Sequence, residues 1–244
     1  MRRARPVARA LFAAAVGAQV LYPRVPERRR VAATRGIVGI VLAASAADAI
    51  AARGRRGAAT VAAAGGVGFA TELVGVATGK PFGHYHYGAG LGIKAGGVPL
   101  MAAAAWALLA RPAWVVAGLI DRRPALRVPL AAGALTAWDV FLDPRMAADG
   151  YWTWPQGGRY QGIPASNFAG WLLTGLVVFG VVAAIDRDDD PLAEGDGALA
   201  LYVWTWTGET FANAVFWGRP VVAAAGGAAM GAFAAPALRA RLAR

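Results

Sequence analysis

Long apolar stretches alternate with short polar ones along the whole chain. They predict spans at about 7–22, 34–52, 58–78, 95–120, 127–143, 164–185, 198–217 and 219–238. Several approach the ~20 apolar residues that cross a hydrocarbon core as a helix. The fourth is expected to break near Arg111-Pro112, and the short or Gly-rich first, fifth and last leave the count at seven or eight. The pattern predicts an all-α, polytopic transmembrane helix bundle. Residues 1–244 form a single integral membrane domain, without an internal repeat or a dividing linker.

Composition agrees. Hydrophobic residues make up 57% of the chain and charged residues 16%, against about 25% charged in soluble domains. The net charge of +11 does not point to nucleic acid. The arginines fall in clusters between apolar runs, as at Arg28 to Arg30, Arg53 to Arg56 and Arg122 to Arg127, where membrane insertion and anionic headgroups select them. Their balance favours an inside N-terminus only weakly. The Arg-rich start before an apolar run also fits a signal peptide, an alternative to a first span. With no cysteine, disulfides, Cys-ligated zinc and thiol nucleophiles are excluded. The spans are rich in Ala and Gly, and helices in lipid associate through close backbone packing. Gly65, Gly66, Gly68 and the Gly227-x-x-x-Gly231 pair are assigned that role.

Ionisable groups inside apolar spans are costly and mark function by default. They are Asp48, Glu72, Asp139, Asp143 and Glu209. In an alternating bundle, the loops 79–94 and 144–163 and the link near 218 lie on one side. Glu72, Asp139, Asp143, Asn167, Glu209 and Asn213 then sit at similar depth near that side. Asp48 falls on the opposite side near Arg53, as an interfacial ion pair. Asp139 and Asp143 are i, i+4 and share a helix face, as do Glu209 and Asn213. Two carboxyls in a low-dielectric site do not both ionise cheaply, so one keeps a proton and becomes a general acid. The simpler alternative has Asp143 capping its helix or pairing with Arg145. The acidic run Asp186, Asp188, Asp189, Asp190, Glu194 and Asp196 lacks calcium-loop spacing and reads as a solvated loop.

Both histidines, His84 and His86, lie in the loop after the third span, between aromatics. Without a surrounding ligand motif they read as part of an interfacial aromatic loop, with Tyr85 and Tyr87, more than as a metal site. Tyr151-Trp152-Thr153-Trp154 suits either a membrane-interface belt or an aromatic wall around a cationic intermediate. Gly90-x-Gly92-x-x-Ala95 lacks the βαβ context of a dinucleotide site, and Gly75 to Lys80 is too short for a phosphate loop.

Three stretches carry a family resemblance: Phe82-Gly83-His84-Tyr85-His86-Tyr87 with Gly97-Val98-Pro99-Leu100 and Trp106; Asp139-x-Phe141-Leu142-Asp143-Pro144-Arg145-Met146 with Gly150-Tyr151-Trp152-x-Trp154; and Tyr160-x-Gly162-Ile163-Pro164-x-x-Asn167-Phe168-x-Gly170-Trp171. Across about residues 70–217, the chain resembles the integral-membrane carotenoid biosynthesis proteins of the CruF type, which include carotenoid 1,2-hydratases and the hydratases of the bacterioruberin pathway. The resemblance implies addition of water to the terminal isoprenoid double bond of an acyclic carotenoid dissolved in the bilayer, giving a tertiary alcohol. It implies a multi-pass protein of the cell membrane. No cofactor or metal is expected.

Combined with that chemistry, the candidate catalytic residues are Asp139 or Asp143 as proton donor and Glu72 or Glu209 to orient the water or take its proton. Candidate substrate-binding residues are His84, Tyr85, His86, Tyr87, Trp138, Tyr151, Trp152, Trp154, Asn167 and Asn213. Two other readings stand beside this one. Asp139-x-x-x-Asp143 has the spacing of a Mg²⁺-diphosphate pair in a UbiA-like membrane prenyltransferase, although a second acidic motif is wanting. A carotenoid- or lipid-binding membrane protein without enzymatic activity is the other.

Overall fold

A computed structural model describes residues 4–187, 190 and 196–243. Among them are eight helices: α1 (Ala4–Leu21), α2 (Glu27–Arg53), α3 (Arg55–Thr78), α4 (Leu100–Ile120), α5 (Pro124–Ala148), α6 (Ala165–Ile185), α7 (Gly197–Val215) and α8 (Pro220–Leu242). Helices α2 to α6 and α8 are long and apolar enough to cross a membrane. Four two-residue strands lie in the connections: β1 (His86–Tyr87), β2 (Lys94–Ala95), β3 (Val98–Pro99) and β4 (Trp152–Thr153).

Helix α4 is the axis of the bundle and touches α2, α3, α5, α7 and α8. Apart from Arg111 it is apolar all round, and it is buried continuously from Trp106 to Leu119, as expected of a helix without a solvent or lipid face. The small residues permit these crossings. A Cβ at Gly65 would lie 3.1 Å from the Ala103 carbonyl oxygen, and one at Gly226 would lie 2.6 Å from the Phe141 ring. Gly227 and Gly231 face Thr210 and Trp206 of α7. Gly66 has nothing within 4 Å of a Cβ, so it is not the packing residue the sequence pattern predicts.

Several span boundaries differ from expectation. Helix α2 starts at Glu27 because the arginines of 28–30 continue the helix beyond its apolar stretch. Helix α4 runs unbroken through Arg111-Pro112 and starts at Leu100, since Lys94–Ala95 pairs with Val98–Pro99. Helix α5 passes Asp143-Pro144 and ends at Ala148. Pro144 has no N–H to offer the Val140 carbonyl, and the Tyr160 hydroxyl donates to that carbonyl at 3.0 Å instead.

The connections gather as alternation requires. At one end, β1 pairs antiparallel with β4, which binds the 79–99 loop to the 149–164 loop. Tyr22 meets Trp217 edge-on at 6.1 Å at that same end. At the other end, Asp186 is 2% exposed. Arg53 pairs with it at 2.7 Å and Arg111 stands 3.8 Å away. This corrects one expectation, the solvated loop read for the acidic run. Asp186 is a buried ion-pair centre that holds α2, α4 and α6 together. Arg53, expected beside Asp48, is bonded to Asp186, while Asp48 lies against Gly197. Asp190 pairs with Arg122 and Asp196 with Arg241; Asp188, Asp189 and Glu194 lie outside the described residues.

Candidate active site

The joined loops roof a cavity of about 80 Å³ lined from α3, α4, α5 and α6. Two carboxylate systems face it. The first is Glu72, 5% exposed. Its Oε2 accepts hydrogen bonds from the hydroxyls of Tyr85 and, at 2.8 Å, Tyr87. Its Oε1 accepts one from Trp106 Nε1 at 3.0 Å. The helix makes room for these donors. Gly68, one turn before Glu72, lies under the Trp106 ring; Gly75, just under a turn after it, lies under Phe82 and Tyr85. Burial, and next the Glu72 carboxylate beside them, push the Tyr85 and Tyr87 hydroxyls well above the ordinary tyrosine range. Both therefore remain protonated donors at physiological pH.

The second system is Asp139 and Asp143, fully or almost fully buried. Asn167, in the first turn of α6, donates its amide to both: to Asp139 Oδ2 at 2.8 Å, and to Asp143 Oδ2. Trp152 Nε1 adds a bond to Asp143 Oδ1 at 3.0 Å. Asp139 Oδ1 has no donor, and the two carboxyl groups lie within hydrogen-bonding reach of each other. Asp143 lines the cavity; Asp139 stands behind it. Arg145 forms an ion pair with Asp149 at 2.9 Å and lies 3.8 Å from the Trp217 ring centre.

The remaining wall is aromatic. Trp106 and Trp171 stack at 4.0 Å, and Trp138 meets Trp171 edge-on. Tyr85 rests on Trp154 and Tyr87 on Trp152. Ring faces of this kind present negative potential to a positive charge between them.

The sequence-based candidates divide accordingly. Glu72, Asp143, Asn167, Tyr85, Tyr87, Trp138, Trp152 and Trp154 line one cavity. Glu209 lines a different, larger one, where Asn213 Nδ2 donates to its backbone carbonyl at 2.9 Å and its Oε2 at 3.3 Å. Tyr151 packs with Leu91 and Met146, and donates to Thr34 at 3.1 Å. His84 and His86 are exposed, with the His84 ring against Gly79. Among the described residues no group of three His, Cys, Asp or Glu is placed to hold a metal. Sequence reasoning assigned no site role to Phe82, Trp106 and Trp171. The signal for Trp106 and Phe82 is the pair of glycines flanking Glu72 on one face of α3, which leaves room for large neighbours.

The family described as carotenoid biosynthesis protein matches residues 32–234. A bisanhydrobacterioruberin hydratase from Haloarcula japonica is 35% identical over 114 residues, which is 45% of this chain and 39% of that protein. The chain therefore aligns with about two fifths of the relative's length. No solved structure matches.

Proposed function

The chain belongs to the carotenoid biosynthesis protein family, and from that premise we propose that it adds water to the terminal isoprenoid double bond of an acyclic carotenoid, giving a tertiary alcohol. The observation that carries this reading is that Asp143, beside a second carboxyl at Asp139, and Glu72, held by three donors, face one small aromatic cavity.

Asp139 and Asp143 hold one proton between them, which supplies the donor that Asp139 Oδ1 lacks. Asp143 faces the cavity and delivers this proton. The alkene π electrons take it at the less substituted carbon, leaving a tertiary cation at the other. The rings of Trp106, Trp138 and Trp171 and the Glu72 carboxylate stabilise that cation. A water oxygen forms the new C–O bond and its surplus proton goes to Glu72. Once the alcohol has left, the cavity of about 80 Å³ holds roughly two or three waters at ~30 Å³ each, and one of them returns the proton to the aspartate pair. Alkene and water are consumed, alcohol is formed, and no electron leaves the system.

Glu72 suits the acceptor role because three donors aim at it and it donates to nothing. Glu209 lies outside this cavity and takes no step. The relative's name supports the reaction class, and an acyclic carotenoid of the bisanhydrobacterioruberin type is the natural first substrate. The protein works as a multi-pass protein of the cell membrane on a substrate dissolved in the bilayer, without a cofactor.

The test is turnover of such a carotenoid by membranes containing the protein in heavy-oxygen, deuterated water. The product should carry one solvent oxygen on the tertiary carbon and one solvent deuterium on its neighbour. A modified pigment without solvent oxygen overturns the reading.

A further inference from the structure

The carboxylate cavity is too small for a polyene chain, so the chain must lie elsewhere. A second cavity of about 450 Å³ lies between α1, α2, α5 and α7, within the ~300–1,000 Å³ usual for small-molecule sites. Val38, Leu108, Trp138, Leu142 and Met146 line both cavities. The two compartments are therefore separated by a partition one side chain thick. The larger one also touches Val20 of α1 and Phe211 of α7, which are 50% and 57% exposed. Exposed apolar side chains on a membrane bundle face lipid, so this cavity opens sideways toward the bilayer.

We infer that the larger cavity is the compartment for the substrate's long apolar chain: the chain enters from the bilayer between α1 and α7, and its end passes Leu142 and Met146 to reach Asp143. This inference rests on the proposed hydration. It makes the enzyme selective for length. A long chain gains binding from the second compartment, while a short terpene with the same end group depends on the carboxylate cavity alone.

Gly208 gives a clean test. It lines the larger cavity and not the smaller. A Cβ there would meet only the Trp204 ring, at 3.7 to 4.0 Å, so a side chain at 208 extends into space without a backbone clash. Replacing a helical glycine also removes its helix-weakening freedom, so the variant is expected to fold. Full-length wild type, Gly208→Phe and Gly208→Ala are compared in liposomes with a long acyclic carotenoid and with a short acyclic terpene bearing the same end group. The inference expects KM for the long substrate to rise about tenfold in Gly208→Phe, the signature of lost chain binding. The short substrate and Gly208→Ala should behave as in wild type. Unchanged KM for the long substrate, or equal loss on both substrates, overturns the compartment and leaves the hydration reading standing. If wild type hydrates neither substrate, the proposed reaction fails instead. Carotenoid co-purifying with wild type but not with Gly208→Phe then still supports the compartment, and equal retention by both overturns it.

Discussion

Trp152 Nε1 donates to Asp143 Oδ1 at 3.0 Å, so the residue that roofs the cavity also holds its acid. Trp152 stands opposite Tyr87 in the β1–β4 pairing, and Tyr87 holds Glu72. One two-residue ladder thus fixes both carboxylate systems. Trp152→Phe keeps the wall and removes the donor. The expected result is a fall in kcat of about tenfold, ~1.4 kcal/mol of barrier, with KM little changed. Initial rates on the purified variant check this; a wild-type kcat means the bond does not position the acid.

Gly68 and Gly66 make a matched pair. A Cβ at Gly68 would lie 2.1 Å from Trp106 Cγ, whereas Gly66 has open space. Gly68→Ala should displace Trp106 from Glu72 and cost about 1–3 kcal/mol of overpacking, read as a lower Tm together with lost turnover. Gly66→Ala should keep turnover and not lower Tm. Equal behaviour of the two variants contradicts the packing described for α3 and α4.

The eight-helix architecture was legible because hydrophobic runs and arginine clusters directly report what lipid accepts. Alternation also placed the loops read at 79–94 and 144–163 at one end without knowledge of any contact. Depth along a helix was legible, but the direction of a side chain around it was not. Glu209 therefore grouped with Glu72 by depth although it opens into a different cavity. The boundaries missed at Pro112 and Pro144 share a cause. Proline reads locally as a helix end, yet surrounding helices tolerate it, and at Pro144 the distant Tyr160 satisfies the freed carbonyl. Asp186 was misread because its partners, Arg53 and Arg111, come from helices far away in sequence.

High pH should destabilise the fold through the buried tyrosines. An ordinary tyrosine ionises near pH ~10, whereas Tyr85 and Tyr87 keep their protons well above that in the folded protein. Above pH ~10 the unfolded chain therefore binds fewer protons than the native one, and stability falls as pH rises. Tm measured from pH 8 to 11 should drop beyond ~10. The drop should be shallower in Tyr85→Phe, Tyr87→Phe, although that double variant starts lower because Glu72 loses two donors. A slope unaltered by the double substitution contradicts the assignment.

Metal dependence separates the hydration reading from diphosphate chemistry at Asp139 and Asp143. Both carboxyls are engaged by the Asn167 amide. Turnover should persist in excess EDTA, and no allylic diphosphate should be consumed. Loss on chelation with recovery on Mg²⁺ points to the prenyltransferase alternative.

The central claim is that Asp143 protonates a carotenoid end group. It is tested most directly by mass analysis of pigments from a lycopene-accumulating host expressing wild type or Asp143→Asn at equal membrane levels. The account predicts pigment heavier by one or two waters with wild type and unmodified lycopene with Asp143→Asn. Hydrated pigment at wild-type yield from Asp143→Asn would contradict it.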